Sequence, residues 1–480
     1  MRPFFTIAVS IGVLAGCAPA LHGPAGAAPA AATGPSPAPT VPARGGTVSP
    51  TAPPTAPPAE APPRILARAT LGAVGDVLMH DAVKRSAEVH GRGAGDGGYA
   101  WLYAPIADLL SEPDLTFANL ETPVAPGVPG GTREYVFNAP PEAIAALVHA
   151  GVDAVSVANN HAFDQGRPGF EETLRRLRAA GLVAIGAGTE GHAAGPVRLE
   201  AGGLSIAFLG YAAFFNAEGN ACPKREVGAP PCVQASQLDR KRILEDVRAA
   251  AAEADAVVVS LHWGVEYDQQ PRAEDVALAH AIVDAGALVV LGHHPHVLQP
   301  IELYRGADGR VGVVAYSLGN FVSNQSRNYV QGVTPEKVAA TRDGALLRVA
   351  LARRDYGRGV VRVEVDRADF VPLWTENDTA EIDRHREPDR RPAIRVVAVD
   401  RALAAVRAEL ARLPDPVPAA DRDRFVALRR KEALLVARRA AVASLLGEDL
   451  LRALPPVAPA AGAPATPAPS PAAAAPTAGP

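Results

Sequence analysis

Residues Leu71–His80 read Leu-Gly-Ala-Val-Gly-Asp-Val-Leu-Met-His, an apolar run that meets Gly75-Asp76 and reaches an imidazole four residues later. Such a run predicts a buried strand whose end presents Asp76. The same pattern returns along the chain. Leu115–Asn119 leads into Asn119-Leu120-Glu121-Thr122. Ala154–Ala158 leads into Asn159-Asn160-His161, with Asp164 and Gly166 close behind. Ala256–Leu261 leads into His262-Trp263-Gly264, and Leu288–Leu291 into Gly292-His293-His294-Pro295-His296. Five strand ends therefore carry carboxylate, amide or imidazole groups. In an α/β sheet, ligands gather outside the carboxyl ends of the strands. Groups far apart in sequence are expected to converge there.

Further strands are expected at Val183–Gly186, Ser205–Gly210, Val311–Ser317, Leu346–Ala350 and Val360–Val365. Helices are expected at Ala139–Ala150, Phe170–Ala180, Asp239–Ala254 and Ala273–Ala285. This alternation predicts an α/β layered fold. The last strands have no helices between them, which predicts an antiparallel part. From about Ala393 the pattern turns helical. Val396–Leu413 and Ala420–Leu454 are rich in Ala, Leu and Arg, and Pro414-Asp415-Pro416 separates them. They read as a helical hairpin with arginine-rich, solvated faces. The main domain is placed at 64–375 and the helical extension at 376–454.

The two ends differ in composition from this body. Met1-Arg2 is followed by an apolar stretch from Phe4 to Leu14, too short to span a bilayer, which ends in Leu14-Ala15-Gly16-Cys17. Residues 1–17 resemble a lipoprotein signal peptide, which implies lipid on Cys17, export and attachment to the cell envelope. In a Gram-negative cell the sorting rules favour the periplasmic side of the outer membrane. Residues 18–63 are almost wholly Ala, Pro, Gly, Thr and Ser. They cannot bury enough apolar surface to order themselves, and read as a tether spanning roughly 100 Å. The tail over 455–480 has the same character. With Cys17 lipidated, Cys222 and Cys232 remain as an even pair, open to a disulfide in an oxidising compartment or to two free thiols. The net charge of −4, from 47 Lys+Arg against 51 Asp+Glu, gives no sign of a nucleic-acid binder or a basic membrane-surface protein.

The residue types at the strand ends point to metal. Neutral imidazoles suit Mn, Zn, Fe, Ni or Co, and carboxylate or amide oxygens suit harder divalent ions. The set exceeds what one tetrahedral ion needs and suits two ions sharing a carboxylate, the arrangement that serves phosphoester hydrolysis or transfer. Each piece taken singly is also a plain helix cap or a structural histidine; five together are not.

Six motifs carry a resemblance. Gly-Asp-Val-Leu-Met-His, Ala-Asn-Leu-Glu-Thr-Pro, Asn-Asn-His-Ala-Phe-Asp-Gln-Gly, His-Trp-Gly-Val-Glu-Tyr, Gly-His-His-Pro-His-Val-Leu-Gln-Pro and Tyr-Ser-Leu-Gly-Asn-Phe resemble, in order, those of the CapA family. That family is linked to capsule and poly-γ-glutamate synthesis and related to calcineurin-like metallophosphoesterases. The resemblance implies a layered metallophosphoesterase-like β-sandwich flanked by helices. It implies Asp76, Glu121, Asn160, His262, His294 and His296 as ligands of a two-ion centre, with Glu121 bridging. It implies His161, beside Asp76, as the catalytic group facing substrate. An anionic envelope polymer or phosphoester would be the partner, alongside other capsule-synthesis proteins. The phosphoesterase Asp-x-His is absent, since Val77-Leu78 follow Asp76, and His80 stands as a substitute. Asn119, His80, His293 and Asn320 are candidates for supporting the ligands, Asn320 equally for capping a turn. Trp263 and Tyr267 either wall the pocket or pack in the core.

Overall fold

The computed structural model describes residues 62–93, 96–128, 135–189, 195–222, 232–387 and 389–452. The signal peptide with Cys17, nearly all of the tether and the tail lie outside these residues. In chain order the strands are β1 (Arg64–Val77), β2 (Leu115–Asn119), β3 (Ala154–Ser156), β4 (Val183–Ile185), β5 (Ala187–Thr189), β6 (Val197–Ala201), β7 (Leu204–Ala212) and β8 (Val233–Ala235). They continue as β9 (Ala256–His262), β10 (Val289–His293), β11 (Ile301–Arg305), β12 (Val311–Ala315), β13 (Asn320–Val322), β14 (Asp343–Asp355), β15 (Val361–Asn377) and β16 (Ile394–Ala398). The helices are α1 (Asp81–His90), α2 (Ala107–Leu110), α3 (Glu142–His149), α4 (Gly166–Ala179), α5 (Arg240–Glu253), α6 (Ala273–Asp284), α7 (Thr379–His385), α8 (Val399–Leu410) and α9 (Arg422–Leu446).

The apolar runs sort by strand period into layers. One sheet has the order β16-β15-β14-β1-β2-β3-β4, with β13 also on β1; the other runs β11-β12-β10-β9-β7-β6. Alternate side chains of each sheet face the other, among them Phe117, Ile206, Phe208, Val258, Leu291 and Val349. Phe117 stacks on Phe208 across this interface at 6.2 Å. The opposite faces are covered by helices. Val83, Leu147 and Phe170 pack against Ala118 and Val155; Val247 and Ile282 pack against Val257 and Val290. The result is a helix–sheet–sheet–helix stack, the layered arrangement the motifs imply.

Register brings the polar strand ends level. Asp76 lies beside Asn119 and beside Asn320, Asn119 beside Ser156, and His293 beside His262, all in parallel pairings. Gly75 is needed for this closure. A Cβ there would stand 1.9 Å from the Gly319 carbonyl oxygen, which accepts from the Asp76 amide at 2.9 Å.

The C-terminal part departs from the sequence expectation. Ile394–Ala398 is a strand, not the start of a helix, and pairs with Leu373–Asn377 of β15. Its alternating Ile394 and Val396 enter the core under α1, where the Ser86 hydroxyl bonds the Ile394 backbone. The sheet thus runs across residue 375. The arginine faces are not uniformly solvated either. Arg438 of α9 is 5% exposed and forks onto both carboxylate oxygens of Asp343, at 3.0 and 3.1 Å. Burial holds the Asp343 carboxyl at about 7, against the pull of Arg438.

Arg438→Ala leaves that carboxylate buried without its partner and is expected to cost about 3–5 kcal/mol in denaturant unfolding. The unfolded carboxyl loses its proton near its ordinary value and the folded one only near 7, so folded stability falls as pH rises between them. The Arg438→Ala loss is therefore expected to be larger at pH 8 than at pH 5. Equal losses at both would contradict this account.

Candidate metal centre

The strand ends meet as the sequence pattern requires. Asp76, Glu121 and His293 have no exposed surface, and Asn160, His262, His294 and His296 are buried around them. They come from five strand ends: Asp76 from the end of β1, Glu121 from just past β2, Asn160 and His161 from the turn after β3. His262 closes β9, and His294 and His296 lie on the loop leaving β10. That loop is bent. His294 and His296 have φ of 95° and 58°, in the left-handed region that non-glycine residues rarely enter. Such strain persists only where surrounding contacts impose it, and it clusters at functional sites. Asn320 supplies one of those contacts, donating to the His296 carbonyl at 3.3 Å and to the Thr341 carbonyl at 2.8 Å.

Two groups of donor atoms share Glu121. Asp76, Glu121 and His296 form one; Glu121, His262 and His294 form the other, each with its atoms within 4.8 Å of one another. In the first, His296 Nδ1 is 3.1 Å from Asp76 Oδ2, and His296 Nε2 is 3.9 Å from Glu121 Oε1. In the second, His262 Nε2 is 3.4 Å from Glu121 Oε1 and 2.9 Å from Asn160 Oδ1. Glu266, with His294 and His296, makes a third group at the exposed side of the site.

The electrostatics favour a cation. Both Glu121 oxygens are buried without a hydrogen-bond partner among the described residues. Burial, then repulsion from Asp76, pushes its carboxyl well above the ordinary range. Burial would also raise Asp76, but His293 and His296, whose Nδ1 atoms lie 3.3 and 3.1 Å from its oxygens, hold it well below the usual carboxylate range. Burial lowers His262, and it lowers His294 to about 4. Their imidazoles are therefore neutral at pH 7, the form that ligates metal. The donor set of carboxylates, imidazoles and one amide oxygen fits divalent ions.

The supporting residues sort themselves by contact. Asn119 donates to Asp76 Oδ1 at 2.8 Å and stands 3.3 Å from His262 Nδ1, linking the two groups. His293 Nδ1 is 3.3 Å from Asp76 Oδ1. His80 accepts from the Asn324 amide at 3.2 Å and packs edge-on to Phe137; it belongs to none of the three groups. Trp263 is core, donating to the Tyr316 carbonyl at 3.0 Å, whereas Tyr267 is 56% exposed and flanks His296. His161 Nδ1 is bonded to Asp164 at 2.8 Å, and its Nε2 points toward Asn216. Asp164, Asn216 and Glu266 were not assigned roles from sequence. Asp164 and Glu266 lie inside the quoted motifs, so their spacing offered a signal; Asn216 lies in a loop that offered none. Cys222 and Cys232 are joined as a disulfide.

Glu121→Gln removes the buried repulsion with Asp76 and one cation ligand together. The chelated variant is expected to melt above the chelated parent, most clearly at pH 8, where a raised carboxyl costs the folded state most. The variant is also expected to gain little stability from added divalent metal. A chelated parent that melts above the variant would contradict an unpaired carboxylate at Glu121.

Residues 70–325 match the family model described as bacterial capsule synthesis protein PGA_cap, a span that holds every residue of the centre. The chain is 31% identical over 312 residues to the capsule biosynthesis protein CapA of Bacillus anthracis, covering 63% of this chain and 67% of that one. It is 31% identical over 305 residues to the PGA biosynthesis protein CapA of Bacillus subtilis, covering 62% and 72%. A probable polyglutamine synthesis accessory protein of Mycobacterium tuberculosis is 29% identical over 260 residues, covering 51% and 66%. With this match laid over the same strand ends that build the centre, the chain belongs to the bacterial capsule synthesis (PGA_cap, CapA-type) family.

Proposed function

We propose that this chain is an exported, lipid-anchored family member that acts in making or anchoring a capsule or poly-γ-glutamate-type polymer, with a two-cation centre that cleaves or transfers a phosphoester. The observation that carries the chemistry is Glu121, a fully buried carboxylate without a donor, shared by two groups of imidazole and carboxylate ligands. Asp76, His296 and Glu121 would hold one ion; Glu121, Asn160, His262 and His294 the other. Bound there, divalent ions supply Lewis-acid polarisation of a phosphoryl group. The chain's own residues do the rest. Asp164 orients His161 through Nδ1 and leaves Nε2 free to exchange a proton with a substrate oxygen. Asn119 and His293 fix Asp76, and Asn320 fixes the His296 turn. The anchor reading rests on the residues around Cys17, and the partners would be the anionic polymer or a phosphoester precursor and other capsule-synthesis proteins.

One position favours a second reading, a polymer-holding protein without turnover. Leu78, buried and apolar, stands where phosphoesterases carry the histidine of Asp-x-His.

The purified chain is expected to carry divalent metal and to hydrolyse a generic phosphodiester. His161→Ala is expected to lose about 100-fold or more in kcat with metal retained, and Glu121→Ala to lose both metal and activity. Less than one ion per wild-type chain overturns the two-cation centre; metal without turnover on any phosphoester favours the second reading. In the producing cell, Cys17→Ser is expected to move the chain out of the membrane fraction. Unchanged membrane attachment would overturn the anchor.

A further inference from the structure

Residues 213–222, which follow β7, touch the centre through Ala213, Phe214 and Asn216. The Ala213 amide donates to the His262 carbonyl at 2.9 Å, and the Asn216 amide to the Asn160 carbonyl at 2.8 Å. Phe214 meets His294 edge-on at 5.1 Å and remains 40% exposed. The Asn216 side-chain amide stands 3.5 Å from His161 Nε2, the nitrogen that Asp164 leaves free. Behind these, Phe215 packs edge-on to Phe163. Gly219 lies so close to the Phe163 ring that a Cβ would come within 2.6 Å of it.

The segment has no regular secondary structure, so something else must hold it. Its far end is fixed by three separate devices. Cys222 is joined to Cys232, one residue before β8. Asn220 pairs with both the amide and the carbonyl of Ala235, at 2.9 and 3.0 Å. Arg167, three residues past Asp164, donates to the Ala221 carbonyl at 2.6 Å, to the Val233 carbonyl at 2.7 Å and to the Gly219 carbonyl, and touches Cys232. One guanidinium thus ties the segment to the start of the helix that follows His161.

We propose that residues 213–222 form a disulfide-latched wall of the substrate site. In it, Asn216 is a positioning residue for His161 Nε2, Phe214 is an apolar contact for substrate over His294, and Cys222–Cys232 with Arg167 keeps both in place. The wall rests on the reading of His161 as the proton-handling group. The geometry does not require a cation, so the wall can be tested with and without one.

The test uses the full chain, its Asn216→Ala variant and the Cys222→Ser/Cys232→Ser pair, with bound metal measured in each. Asn216→Ala keeps the backbone bond to Asn160. It is expected to lower kcat on a phosphodiester about tenfold, with KM within about twofold and metal unchanged. In chelated protein it is expected to shift the nitrogen resonance of His161 Nε2, while residues 213–222 keep their hydrogen-exchange protection. The double serine variant is expected to exchange at 213–222 about tenfold faster or more, in chelated protein, with the rest of the sheet still protected. An unmoved His161 resonance overturns the role of Asn216, and unchanged exchange in the serine pair overturns the latch. Absence of turnover in the wild type would fail the proposed function alone, since resonance and exchange need no catalysis.

Discussion

A carboxylate without exposed surface and without a donor is costly in a folded chain, and among the described residues Glu121 is such a group. Taking an ion out of water costs several kcal/mol even after relaxation, unless opposite charge compensates it. Its near neighbours include Asp76, a second carboxylate, and His262, whose imidazole burial keeps neutral. A cation would supply the missing charge. The centre depends on this constraint: Asp76, His262, His294 and His296 offer lone pairs near Glu121, and Asn119 and Asn320 hold two of these positions.

Holding them is the work of the two sheets. Parallel register sets Asp76, Asn119 and Ser156 side by side on one sheet and His262 and His293 on the other. Packing of Phe117 on Phe208 fixes the distance between the sheets. The strained turn through His294 and His296 then reaches back to Asp76, where the His294 amide and the His296 ring both approach Oδ2. Backbone held in an unfavourable region there is stabilised by contacts such as the Asn320 side chain on the His296 carbonyl. Strain, register and the buried carboxylate therefore belong to one arrangement.

The C-terminal helices are part of the same body rather than an attachment to it. Trp374, Val397, Leu403 and Leu435 form a shared cluster, and Arg438 bridges to Asp343 at the start of β14. β14 begins two residues after Thr341, whose carbonyl accepts from Asn320. A continuous path of bonds thus leads from the buried arginine to the turn that carries His296.

The sequence by itself determined which residues are chemical and on which ends they sit. Apolar runs that stop on Asp76, Asn119, Asn160, His262 and His293 are strands because their composition can only be buried in layers. Their polar stops lie at one edge because parallel strands share a direction. The local pattern also placed α5 and α6 nearly to the residue. It misread Val396–Ala398 as helix, because a short β-branched run is ambiguous until a partner strand is known, and β15 is that partner. It read Arg438 as solvated, since an arginine on a helix shows no sign of the aspartate it will meet 95 positions away. Glu121 as the shared ligand was already implied by the family resemblance; only the tertiary structure decided that Glu266 faces the same imidazoles and that Asn216 stands against His161. Those are distances between segments, and segment spacing is fixed by packing of the two sheets rather than by any local pattern.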